Sequence, residues 1–288
     1  MSPPPANPQE KLRLGGMALR NGLLVHGPTH WAAAVRTREG DVRVASGRKP
    51  SLGGKATGRF PGLRGVTRLA EAFAVIPLVK RALPEAKLPM QDPKTLGTMA
   101  AAALGGQAIR SSGPRTIVRE AAVAGISLLP ALLTLRGGDL ASYHGVEHKA
   151  IGAYEDGEDA AEATKEHDRC GSNLVAPLLT SAVAGNVALR RAGLSGPVAD
   201  GAVALGSIGV AVEVFLWSER HADSKVSRLL RRPGYEIQRV VGTREPTERQ
   251  LEVGRAALEE ILRVEGAAPA AALDRHASAP AVASALPD

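Results

Sequence analysis

The sequence predicts a mainly α fold: a helical membrane bundle of about four apolar helices, with a small β-containing segment before it and an amphipathic helix after it. Three observations predict this. Four low-charge segments, residues 95–109, 121–135, 170–189 and 201–217, occupy the middle of the 288-residue chain. The apolar mass is Ala, Val and Leu, with aromatics at only 3% and 32 glycines; such small residues let helices approach closely where lipid gives little reward for burial. Lysines and arginines are also spread unevenly about those segments, as the orientation rule for membrane proteins requires.

Taken in order, residues 1–13 are proline-rich and polar, with no cleavable signal peptide, and are expected to be disordered. Residues 14–66 form a β/loop segment. The run from Trp31 to Val35 reads as a strand, Thr37-Arg38-Glu39-Gly40-Asp41 as a turn, and Val42-Arg43-Val44 as a second alternating strand. Gly53-Gly54-Lys55 has the look of a phosphate-binding loop, but the glycine spacing is wrong and Ala56 replaces the required hydroxyl.

Residues 67–232 form the helical core. Its first helix shows Leu69, Phe73, Ile76 and Leu78 at helical spacing before Pro84. Of the four apolar segments that follow, only the third reaches the ~20 residues that span a bilayer. Hydropathy alone therefore leaves buried soluble helices and membrane spans both open. Residues 233–263 carry a capping box, Thr247-Glu248-Arg249-Gln250, ahead of a helix with Leu251, Leu258, Ile261 and Leu262 on one face. Residues 264–288 read as a disordered Ala/Pro tail.

Charge favours the membrane. Residues 1–94 carry 16 Lys/Arg against 6 Asp/Glu, and Arg220, Lys225, Arg228, Arg231 and Arg232 cluster after the last apolar segment. Four spans would place both ends on the cytoplasmic side of the cell membrane, at the cost of leaving Arg110, Arg115 and Arg119 outside. The expected partner is the lipid bilayer. Nucleic acid is not expected, because no aromatic stacking platform interleaves the basic residues. The one cysteine excludes an intrachain disulfide.

Chemistry concentrates in the acidic stretch 136–172. In Tyr143-His144-Gly145-Val146-Glu147-His148-Lys149, two histidines at i and i+4 project from one helical face and can reach one metal ion. Glu147 is placed to act as a general base beside it. His167 and Cys170, three apart, supply further nitrogen and sulfur donors. Glu213 is a carboxylate within an otherwise apolar helix, where burial calls for a cation, proton or metal. The expected site is thus His144, His148, His167, Cys170 and Glu213 around a divalent metal, Zn2+, with Glu147 catalytic. A structural account fits the same residues: satisfied polar groups on a loop helix, a small core cysteine, and Glu213 paired with Arg220 or Arg191. His26, His30 and His276 lack such company, while His221 could approach from the end of the fourth apolar segment.

These residues also carry a resemblance. Gly15-Gly16-Met17-Ala18 through Gly22, Gly27-Pro28, Trp31 to Arg36, Tyr143 to Lys149, Ala153-Tyr154-Glu155, His167 to Gly171, Pro233-Gly234, Gln238 and Thr243-Arg244-Glu245-Pro246 occur in one order. In them the chain resembles the YqhQ-type proteins, bacterial membrane proteins described as predicted metal-dependent enzymes. The resemblance covers about residues 14–263 and implies helical membrane segments with a cytoplasm-facing metal site. It also implies a glutamate at the position of Glu213. Asn21, Asn173 and Val212 depart from the pattern. The expected function is a membrane-bound, metal-dependent hydrolytic enzyme; the alternative is a non-catalytic membrane scaffold or assembly protein with a structural zinc site.

Overall fold

The computed structural model describes residues 11–52, 63–114, 116–136, 138–194 and 196–267. Residues 1–10, the Gly53-Gly54-Lys55 segment, Arg115 and the tail from 268 onward lie outside the described residues.

Four strands, β1 (Gly15–Leu19), β2 (Gly22–His26), β3 (His30–Arg36) and β4 (Val42–Arg48), form an antiparallel meander in the order β1-β2-β3-β4. The central strands are buried on both faces. Leu23, Val25, Ala32 and Ala34 face one way; Leu24, Trp31, Ala33 and Val35 face the other. This follows from the two-residue period of a strand with apolar residues at every position. Asn21, at the β1–β2 turn, donates to the carbonyls of Arg36 and Glu85 and accepts from the Lys87 N–H. Its role is to clamp the turn.

Helix α1 (Leu63–Ala82) covers the second face with Val75, Val79 and Leu83, all fully buried. Leu69 and Phe73, one turn earlier, are exposed by 37% and 47%. The sheet reads the i, i+4 row that ends at Leu83, and α1 also reaches α6.

Two helices cover the first face: α4 (Asp139–Asp156) and α8 (Glu248–Glu265). They cross at Gly254, where a β-carbon would come within 2.4 Å of Val146 Cγ1. Gln250 accepts from the Thr247 N–H at the start of α8, and Gly266 closes its end with φ +68. The four expected apolar residues of this helix face inward, while Glu252, Glu259 and Arg263 lie on the exposed side. Leu251, Val253, Ala256, Ala257, Leu258, Ile261 and Leu262 are all buried, because α8 is held between the sheet and α4.

The remaining long helices pack as pairs: α2 (Pro93–Ser111) with α3 (Ile117–Leu135), and α5 (Val175–Arg191) with α6 (Pro197–Arg220). Three helices, not four, are long and apolar enough to cross a membrane: Ile117–Leu135, Gly171–Arg191 and Pro197–Arg220. The first expected segment falls short because Lys94, two threonines, three glycines and Gln107 dilute α2. Only 11%, 17% and 17% of the three apolar windows is buried, so most of their surface has no protein cover. This is consistent with a membrane protein.

Ion pairs and a short connection tie the ends of these pairs to the rest of the fold. Arg20 of the β1–β2 turn pairs with Asp92 at the start of α2, and α3 ends three residues before α4. Glu219 at the end of α6 pairs with Arg13 and Arg169. A short amphipathic helix, α7 (Lys225–Ile237), continues into a single π-turn, Gln238–Gly242.

Candidate metal centre

Helix α4 builds the site. Its C-terminus is fixed by Gly157 in the left-handed conformation, φ +78, and twelve of its residues are buried. His144 and His148, one turn apart, stand with ring centroids 4.4 Å apart. Cys170, ahead of the 3₁₀ turn Gly171–Leu174, brings its sulfur to 3.4 Å from His144 Nε2. Ligand atoms of His144, His148 and Cys170 all lie within 4.8 Å of one another. A tetrahedral zinc ion sets nitrogen and sulfur ligands about 3.5 Å apart. This group could hold a metal ion.

The second ring nitrogens make the geometry informative. His144 Nδ1 lies 2.7 Å from the Gly242 carbonyl, and His148 Nδ1 lies 2.6 Å from the Lys165 carbonyl. A carbonyl only accepts, so both Nδ1 atoms carry the proton and both Nε2 atoms keep a lone pair. His148 Nε2 is buried and has no hydrogen-bond partner among the described residues. Burial drives the His148 imidazole far below its usual pKa and so holds it neutral, while burial pushes the Cys170 thiol up. Two imidazoles oriented by backbone carbonyls, with their Nε2 atoms turned inward beside a sulfur, are suited to a soft or borderline divalent cation.

The carbonyls are held by elements remote in sequence. Gly242 is presented by the π-turn, a rare element found most often at functional sites. Gln238, at the start of that turn and fully buried, donates to Ser172 Oγ and accepts from the His167 N–H. Lys165 lies on a loop pinned by buried Lys149, whose ammonium donates to the Ala161 and Ala163 carbonyls and pairs with Glu245.

Glu147 is buried behind the histidines, against the bare backbone of Gly16 in β1. A β-carbon at Gly16 would lie 2.7 Å from its carboxylate. Burial raises this carboxyl to about 7, with His144 and His167 pulling it down and Cys170 adding to the rise. The group is therefore poised to change protonation near neutrality.

Two expected donors stand apart. His167 is 5.7 Å from His148 by ring centroid, but its Nε2 meets Glu155 Oε2 at 3.1 Å and its Nδ1 accepts from the Arg169 N–H. Glu213 lies half-buried in α6, outside the group of converging donors. Gln238 and the carbonyls of Gly242 and Lys165 carried no metal-site signal in the sequence. Gln238 entered only through the family resemblance, and a backbone carbonyl leaves no trace in residue type.

Comparison with known proteins bears on this same stretch. Residues 138–264 match the family described as "Protein of unknown function (DUF1385)". No curated protein and no solved structure matches the chain. The DUF1385 segment runs from the start of α4 to the end of α8, and so contains all three converging donors and both orienting carbonyls. The match supports an uncharacterised family and assigns neither an activity nor a metal.

Proposed function

We propose that the protein is a membrane-bound, zinc-dependent hydrolase with its site on the cytoplasmic side. The observation that carries this reading is the pair of Nδ1–H···O=C bonds that turns both Nε2 lone pairs toward Cys170 Sγ. His144, His148 and Cys170 would be the protein ligands. Three protein donors leave a coordination position open, the arrangement of catalytic rather than structural zinc sites. A zinc ion there would supply Lewis acidity to a substrate oxygen. Glu147 would accept a proton at its carboxylate and return it to a leaving group, as its near-neutral pKa permits.

A structural zinc site in a scaffold protein would need a closed fourth ligand, and His167 is the nearest candidate. Both of its nitrogens already have partners, which favours the open site.

Connectivity supports the proposed membrane arrangement. The chain runs out with α2 and returns with α3, then runs out with α5 and returns with α6. The lysines and arginines before α2 and after α6 favour the cytoplasmic side for the sheet and the metal site.

The test is metal analysis of detergent-purified protein. About one zinc per chain is expected in the wild type, with loss in His144→Ala and Cys170→Ser. Cobalt substitution should show a sulfur charge-transfer band that Cys170→Ser abolishes. Equal metal content in all three proteins would end this reading.

A further inference from the structure

Two cavities meet beside the first turn of α4. One, of about 670 Å3, lies between α2 and α3 and is walled by Met90, Met99, Ala102, Gly106, Val123 and Ala131. Its size is that of pockets which enclose small ligands, about 300–1,000 Å3. The other, of about 250 Å3, is polar, and Arg20, Lys94, Asp92 and Asp139 line it. Thr95, Thr134 and Leu140 belong to both linings. The two spaces are adjacent, separated by the bonded hydroxyls of Thr95 and Thr134 (3.1 Å), with the charged one near the sheet and the apolar one along the helices.

We infer that the two spaces together bind a membrane glycerophospholipid, with its phosphodiester at Lys94 and Arg20 and one acyl chain between α2 and α3. Three observations choose this occupant. The apolar part lies along α3, a candidate span with little protein cover, and two of its walls, Met90 and Met99, are exposed by 52% and 43%. Thr95 and Gly106 are eleven residues apart on α2, about 16 Å of helix. That is roughly half of a ~30 Å hydrocarbon layer, the depth of one leaflet. Lys94 has no ion-pair partner among the described residues, whereas Arg20 is held at 3.3 Å by Asp92. One unpartnered ammonium, beside an Arg20 shared with Asp92, suits a singly charged phosphodiester better than a multiply charged headgroup. At the deep end, Gln107 and Arg110 close the crevice, with Arg110 bonded to Glu120 at 2.9 Å.

The inference rests on the proposed membrane embedding and not on the metal. Protein extracted in a mild detergent is examined by native mass spectrometry, then offered phosphatidylethanolamine, phosphatidylglycerol, diacylglycerol or inorganic phosphate. One phospholipid per chain should be retained, with diacylglycerol at least tenfold weaker and inorganic phosphate not bound. Ala102→Phe, which fills the crevice, and Lys94→Glu, an exposed change that leaves the packing intact, should each lower retention at least tenfold. Thermal melting of the same samples reports folding, and their zinc content, read separately, tests the metal proposal alone. Equal retention in wild type and Lys94→Glu, or diacylglycerol bound as well as phospholipid, would overturn the inference.

Discussion

Cys170 Sγ lies 3.4 Å from His144 Nε2 across 26 positions of sequence. That closeness depends on a loop, a π-turn and a buried lysine, none of which touches the sulfur. The consequences of this indirect construction can be measured.

Lys149 is the tether of the loop that carries the Lys165 carbonyl. Lys149→Met would leave the Ala161 and Ala163 carbonyls without their donor. The expected cost is roughly 2–3 kcal/mol. Hydrogen exchange should show lost protection over residues 158–166, and zinc affinity should fall on the order of 10–100-fold, as for other residues that orient ligands. Unchanged exchange in that loop would refute the tether.

Gly145 lets the chain after the π-turn pass close to α4. A β-carbon there would sit 2.3 Å from the Arg244 carbonyl oxygen, and the Arg244 N–H bonds to the Ala141 carbonyl. Gly145→Ala should push this segment outward, take the Gly242 carbonyl from His144 and weaken zinc binding at least tenfold, with about 1–3 kcal/mol of stability lost. A zinc titration of the variant beside wild type decides the point.

Glu147 makes the metal-free protein sensitive to alkali. Its folded pKa, about 7, lies above the ordinary 4.5, so its contribution to stability is complete below pH 4.5 and is lost as pH rises through 7. The loss is roughly 3 kcal/mol at most. Glu147→Gln should remove it while keeping zinc bound. Melting curves of zinc-free wild type and variant should therefore diverge between pH 5 and 8; parallel curves would contradict the buried placement.

His26 acts in the opposite direction. Both of its ring nitrogens are buried without partners among the described residues, and burial with nearby Lys49 lowers it to about 4. The unfolded chain binds this proton first, so stability is full above pH 6.5 and falls as pH drops towards 4, by at most about 3 kcal/mol. His26→Phe should flatten this limb of the pH–stability curve. A wild-type-like acid limb in the variant would exclude His26 as its source.

Much of the fold was legible because the signals are local. Continuous apolar residues in Trp31–Val35 gave a strand, the Thr37–Asp41 turn was read correctly, and long uncharged runs gave the apolar helices. Periodicity says which rows are apolar, not which neighbours arrive: Val75 and Val79 of α1 are covered by the sheet while Leu69 and Phe73 are exposed. The dilute helix α2 failed because low charge is a weaker condition than high hydropathy.

The site divides in the same way. By itself the sequence determined that His144 and His148 share a helical face, because 3.6 residues per turn is a property of the backbone. It also determined that Glu147 lies beside them. Only the tertiary structure decided that Cys170 joins them while His167 turns to Glu155 and Glu213 stays outside the converging group. It alone chose the tautomers, through the carbonyls of Gly242 and Lys165. Those choices depend on where distant backbone comes to rest, and every residue supplies the same carbonyl.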